Sequence, residues 1–116
     1  MLRALLAAHE AGFVHRDVRE DNILLTGGGF VLIDWEVAGK IGDAVFWQPN
    51  TAHVPPDVRK GTSWQTWMDL WQLGRVLQAQ PIACKNPAGN LFLTHLLNRQ
   101  YPSAEAALQD LTATVW

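Results

Sequence analysis

The sequence predicts a mainly α fold carrying one small β-hairpin, and three observations predict it. Leu2, Leu5 and Leu6 recur at helical spacing near the start. Two short apolar runs flank the glycine-rich turn TGGG. The tryptophan-rich run 64–79 is apolar at nearly every helical angle. With 116 residues, the chain is long enough for one modest domain.

Taken in order, the first helix should end at Gly12, a natural C-terminal stop. Phe13 and Val14 can then form a brief strand. Ile23 to Leu25 and Phe30 to Ile33 read as the two arms of the hairpin. The run from Asp34 to Ser63 shows no clear period and carries Pro49, Pro55 and Pro56. A loop of that length within a compact domain usually has a task. The central helix, 64–79, is expected to be buried on all sides, with Ser63 as its cap. Pro81 to Gly89 reads as a second loop. Two further helices are predicted at Leu91 to Leu97 and Ala104 to Leu111, the latter opened by Pro102 and Ser103.

Composition narrows the function classes. Hydrophobic residues make up 48% of the chain, which excludes a disordered class. A net charge of −2 gives no general affinity for nucleic acid or an anionic membrane. One cysteine, Cys84, allows no internal disulfide and fits a reducing compartment. In MLRALLAAHEAG the apolar run is cut by His9 and Glu10, unlike a secretory signal. No stretch approaches the ~20 apolar residues of a membrane span. The expected setting is intracellular, in the cytoplasm. Six tryptophans suggest a core built on large aromatic anchors.

Between the first strand and the hairpin, VHRDVREDNILL crowds Arg16, Asp17, Arg19, Glu20 and Asp21 beside His15. A solvated surface loop is the bland reading. The spacing argues otherwise, because His15, Arg16 and Asp17 precede Asn22 in an H-R-D-x-x-x-x-N pattern. Chance agreement at these positions is on the order of one in a thousand or less at average residue usage. A second acid, Asp34, follows the hairpin. The four histidines, His9, His15, His53 and His95, lack zinc-type spacing.

On these residues the sequence resembles the C-terminal lobe of a eukaryotic-type protein kinase. The resemblance implies a site that transfers phosphate from ATP with Mg²⁺. Asp17 then matches the residue that orients the acceptor hydroxyl, and Arg19 falls near the transferred phosphate. Asn22 and Asp34 match the metal and nucleotide ligands, in a catalytic loop 15–22 and a metal-binding turn 34–36. His15 and Arg16 would be structural members of the motif.

Downstream matches extend the likeness. Asp69, Trp71 and Gly74 fit the family's D-x-W-x-x-G helix, in which the aspartate receives backbone N–H groups from the His-Arg-Asp turn. A buried acid in so apolar a helix needs such donors. VPPD, ending at Asp57, resembles the Ala-Pro-Glu end of an activation segment, which would then span 34–57. YPSAEAAL resembles the helix start that closes the domain. Tyr101 replaces the usual arginine there, and Arg99 is the candidate substitute to pair with Asp57.

Departures are equally specific. Trp35-Glu36 stands where Phe-Gly usually follows the metal-binding aspartate. IDWE is similar to small-molecule phosphotransferases of the aminoglycoside and choline kinase type, and to divergent fungal kinase-like proteins. Losing that glycine removes backbone freedom. Thr51 is a conceivable phosphosite facing Arg16, although its offset misses by about a residue. No glycine-rich loop, strand lysine or partner glutamate precedes the first helix, so residues 1–116 are expected to be a partial, truncated kinase-like domain without its N-lobe. Three functions follow. One is a protein-hydroxyl phosphotransferase, with little or no activity as an isolated chain. Another is a pseudokinase-like fragment that acts by protein binding. The last is a relative of the small-molecule kinases. The implied partners are a protein substrate or a chain supplying the missing lobe, with no nucleic acid and no membrane.

Overall fold

The computed structural model describes residues 1–47, 53–80 and 85–113. In chain order its elements are α1 (Leu2–Glu10), β1 (Phe13–Val14), β2 (Ile23–Thr26), β3 (Gly29–Leu32), β4 (Gly39–Lys40), α2 (Thr66–Gln78), α3 (Pro87–Leu97) and α4 (Ala104–Ala113). A 3₁₀ turn, Glu20–Asn22, stands directly before β2.

Helix α1 buries Leu2 and Leu5 and ends where Gly12 takes a φ of +90°, a left-handed value suited to glycine. The chain turns there into β1. In the hairpin, Ile23 faces Leu32 and Thr26 faces Gly29 across an antiparallel ladder. The turn is closed by Thr26, whose Oγ1 donates to the Gly29 carbonyl at 2.9 Å and accepts from the Gly28 N–H at 3.2 Å.

The long segment after the hairpin is more ordered than its composition suggests. Val14 pairs with Gly39 and Phe13 with Lys40, so β4 fastens it to β1. An antiparallel bridge also links Ala44 to Ser63. Strands of two residues cannot display a period of two, which is why the sequence shows none there.

The central helix begins at Thr66, two positions later than expected, and Gln65 occupies the capping position. Ser63 does not cap it. Its hydroxyl donates instead to the Gly42 carbonyl at 2.7 Å. Trp64 thereby lies outside the helix, fully buried beneath the loops with Val14, Val45, Val54, Val58 and Met68. Nor is α2 buried all round: Trp67 and Trp71 are half-buried, and Arg75 is exposed with its guanidinium 5.8 Å from the Trp71 ring centre. An indole face and a cation can share the wet side of a helix.

A second core joins α1, α2, α3 and α4 through Leu5, Leu70, Leu73, Phe92, Leu96 and Ala107. Gly74 allows α2 and α3 to touch closely, since a Cβ there would stand 3.0 Å from Leu96 Cβ. Helix α3 starts at Pro87, four residues before the predicted Leu91, because Asn86 Oδ1 accepts the Ala88 and Gly89 N–H groups. Helix α4 starts as predicted, with Ser103 Oγ accepting from Ala106 N at 3.1 Å. Among the described residues no helix is long and apolar enough to cross a membrane.

Candidate active site

The site is built on a buried carboxylate. Asp69 is fully buried and accepts four N–H groups. Its Oδ2 receives His15 N and His9 Nε2, both at 2.8 Å. Its Oδ1 receives Arg16 N at 2.9 Å and Trp64 Nε1 at 3.0 Å. Without these donors, burial of the acid would be strongly unfavourable; with them it becomes a rigid anchor.

The anchored turn is strained. Arg16 has a φ of 76° and Asp34 a φ of 58°, both in the left-handed region that non-glycine residues avoid. Each such residue costs on the order of 1–3 kcal/mol, and such strain concentrates at functional sites. Asp69 holds the first of them by gripping the Arg16 N–H.

His15, fully buried, joins the two functional loops. Its Nδ1 accepts the Asp17 N–H at 3.1 Å, so Nε2 carries the hydrogen received by the Ile33 carbonyl at 2.9 Å. With both nitrogens engaged it is a positioning group and not a free base. Ile33 is held from its other side too, because its N–H donates to the Asn22 carbonyl at 2.8 Å. Ile33 is the residue before Asp34. The clamp therefore fixes Asp34 at the end of the hairpin ladder, next to the turn that bears Asn22 and Asp17.

Within that turn, the Asn22 side-chain amide donates to the Asp17 carbonyl at 2.9 Å and to Asp17 Oδ2 at 3.0 Å. Its hydrogens are spent on Asp17, which leaves its carbonyl oxygen as the atom able to bind a cation. Arg19 Nε lies 3.4 Å from Asp17 Oδ1. Asp34 is exposed, and its Oδ1 accepts a long 3.4 Å contact from the Glu36 N–H. Trp35 packs edge-on to His15 with ring centres 4.5 Å apart, and its Nε1 donates to the Leu32 carbonyl at 3.2 Å.

The Arg16 side chain runs the other way, under the segment after β3. Its guanidinium donates to the Val37 carbonyl at 3.4 Å and the Asp43 carbonyl at 3.0 Å, and lies 5.6 Å from the Trp47 ring centre. Burial pushes its pKa below the usual value, opposed by the nearby Asp43 and Asp69. Gly39 makes room for it, since a Cβ there would meet Nη1 at 2.6 Å. Thr51, the candidate phosphosite, lies outside the described residues.

At the far end of the segment, Arg99 Nη2 reaches Asp57 Oδ1 at 3.3 Å while its guanidinium stacks 3.8 Å above Trp67. Tyr101, at the position where an arginine was looked for, donates instead to Asp110 and packs on Phe92. Trp71 is half-buried on the outer side of α2, where the Arg75 guanidinium lies over its ring.

Three polar contributors were not singled out from the sequence. His9 lies seven residues after Leu2 and four after Leu5, so helical periodicity places it on their buried face. Gln72, only 1% exposed, lies three residues after Asp69 on the same face of α2. Trp64 N–H gave no signal beyond the general need of a buried indole for an acceptor.

The donor set suits one kind of metal. Among the described residues no group of three or more His, Cys, Asp or Glu side chains could hold an ion. Asn22 and Asp34 are hard oxygen donors too few to form a cage, which fits Mg²⁺ completing its shell with water and phosphate oxygens.

The chain is similar to known phosphotransferases and kinases. A family model described as APH, a phosphotransferase enzyme family, matches residues 1–46. A probable serine/threonine-protein kinase of Streptomyces coelicolor is 33% identical over 66% of this chain and 13% of its own length. The serine/threonine-protein kinase KIC1 of Saccharomyces cerevisiae is 32% identical over 75% of the chain and 8% of its own length. Crinkler effector protein 8 of Phytophthora infestans is 29% identical over 97% of the chain and 20% of its own length. The chain thus spans a small part of the curated relatives it matches. Among solved structures, the Cydia pomonella granulovirus kinase PK-1 superposes with a TM-score of 0.76 at 18% identity, covering 98% of this chain and 55% of that one.

Proposed function

Because this chain belongs to the protein-kinase-like family, we propose that residues 1–116 form the C-lobe part of a site that transfers the γ-phosphoryl group of ATP to a protein hydroxyl. The observation that carries this reading is the double clamp on Ile33, which sets Asp34 beside the turn of Asp17 and Asn22. Asp17 orients the acceptor hydroxyl and takes its proton as the new O–P bond forms and ADP leaves. Arg19 stands beside Asp17, where positive charge offsets the charge of the migrating phosphoryl group. The Asn22 carbonyl oxygen and the Asp34 carboxylate would hold Mg²⁺, whose charge would offset that of the phosphates. The segment 34–57 then presents the acceptor, its end fixed by Asp57 and Arg99. ATP dependence and a reducing setting for Cys84 favour an intracellular, cytoplasmic location.

Calorimetry with Mg²⁺ and ATP tests it. The wild-type chain should show metal-dependent binding at millimolar nucleotide, and Asp34→Ala should abolish it. Absence of metal-dependent heat in the wild type would instead favour a kinase-like fragment that works by protein binding.

A second reading has its own support. The match of the phosphotransferase model over residues 1–46, with Trp35-Glu36 after Asp34, favours a small-molecule hydroxyl as acceptor. Comparing phosphate transfer to aminoglycoside or choline-type alcohols and to serine peptides separates the two acceptors.

A further inference from the structure

We infer that Gln72 is a positioning residue that fixes both peptide groups flanking Asp17 and ties them to the acceptor-side segment. The inference rests on the phosphotransfer reading above, because it assigns Gln72 a part in aiming Asp17. Gln72 is 1% exposed, and its amide is satisfied by main chain alone. Its Oε1 accepts the Val18 N–H at 2.9 Å. Its Nε2 donates to the Arg16 carbonyl at 3.0 Å and to the His53 carbonyl at 2.7 Å. The first two partners are the residues immediately before and after Asp17. One planar amide therefore spans the peptide on either side of the residue proposed to take the proton.

Among side chains of this length, only glutamine fits this task. It combines an acceptor with two donor hydrogens on one rigid plane and carries no charge. Glutamate would keep the acceptor for Val18 and turn a second oxygen on two carbonyls. Leucine, similar in size, would leave one buried N–H and two carbonyls unmatched, each at a desolvation cost. The third bond makes Gln72 more than a loop support. His53 lies just before Val54 and Pro55, both buried, where the segment ending at Asp57 returns to the core. The group that aims Asp17 also holds the backbone leading to the proposed acceptor platform. Asp69 holds the turn one residue earlier, at the His15 and Arg16 N–H groups, so the two side chains divide the loop between them.

The test compares the wild-type chain with Gln72→Leu and Gln72→Glu by residue-resolved amide hydrogen exchange, with Mg²⁺–ATP calorimetry in parallel. Gln72→Leu should speed exchange of the Val18 amide by about tenfold relative to amides of α3. Gln72→Glu, which keeps the acceptor for Val18 but loses both donor hydrogens, should speed the Val18 amide less than Gln72→Leu does. A structural role spread over the fold would raise exchange evenly in both variants and would overturn the inference, as would an unchanged Val18 amide in Gln72→Leu. A wild type that binds no Mg²⁺–ATP sinks the phosphotransfer reading, while the exchange comparison still decides what Gln72 does to the loop.

Discussion

Asp69 and Gln72 are polar and 0% and 1% exposed, whereas Leu25 and Phe30 on the hairpin are apolar and 74% and 63% exposed. Two neighbouring regions thus reverse the usual partition of side chains. Beneath the loop of Asp17, the Asp69 carboxylate and the Gln72 amide are satisfied by backbone groups together with the His9 and Trp64 side chains, which fixes geometry at the cost of tolerance. On β2 and β3 the apolar side chains Leu24, Leu25, Phe30 and Val31 stand out on both faces of a two-stranded ladder. A pair of strands has no interior of its own, so only Leu32 is buried there while Ile23 is half-buried. The contrast teaches that the floor defines where Asp17 and Asp34 lie, while the hairpin merely carries Asn22 and Asp34 at its ends. In the proposed function, the outward apolar face is available to pack against nucleotide or further chain.

The contrast can be broken most severely at Asp69. Asp69→Ala would strand four buried donors, and a loss of about 3–5 kcal/mol is expected by urea unfolding, enough to endanger the fold. Gly39→Ala should cost about 1–3 kcal/mol by the same measurement, because its Cβ would displace the Arg16 guanidinium from the Val37 and Asp43 carbonyls. Arg99→Ala removes an exposed ion pair and a cation over Trp67, so a loss of about 1 kcal/mol is expected, reduced by salt. Val31→Thr on the hairpin should stay within about 0.5 kcal/mol of wild type. A hairpin substitution as damaging as Gly39→Ala would erase the distinction between the two regions.

Much of the site was legible because short motifs carry it. Asp17, Asn22 and Asp34 stand at spacings set by one turn and one hairpin, and Asp69 stood out as the single acid of an apolar helix. The pairing of Arg99 with Asp57 could be posed only as a question, since it depends on how α3 ends. Arg99 takes a φ of 60° there, and that backbone bend is what aims its side chain. His9 was legible in retrospect from its place on the face of Leu2 and Leu5.

What the sequence determined by itself was local: helices α1 and α4 and the existence of the hairpin, because periodicity and turn chemistry act over a few residues. Tertiary structure alone decided the rest. It moved Trp64 out of the helix and into the second core, paired β1 with β4, and brought His9, Trp64 and Gln72 to the loop. Those arrangements join groups up to 60 residues apart. They follow from the need of each buried polar atom for a partner, and only the packed chain shows which partner lies within reach.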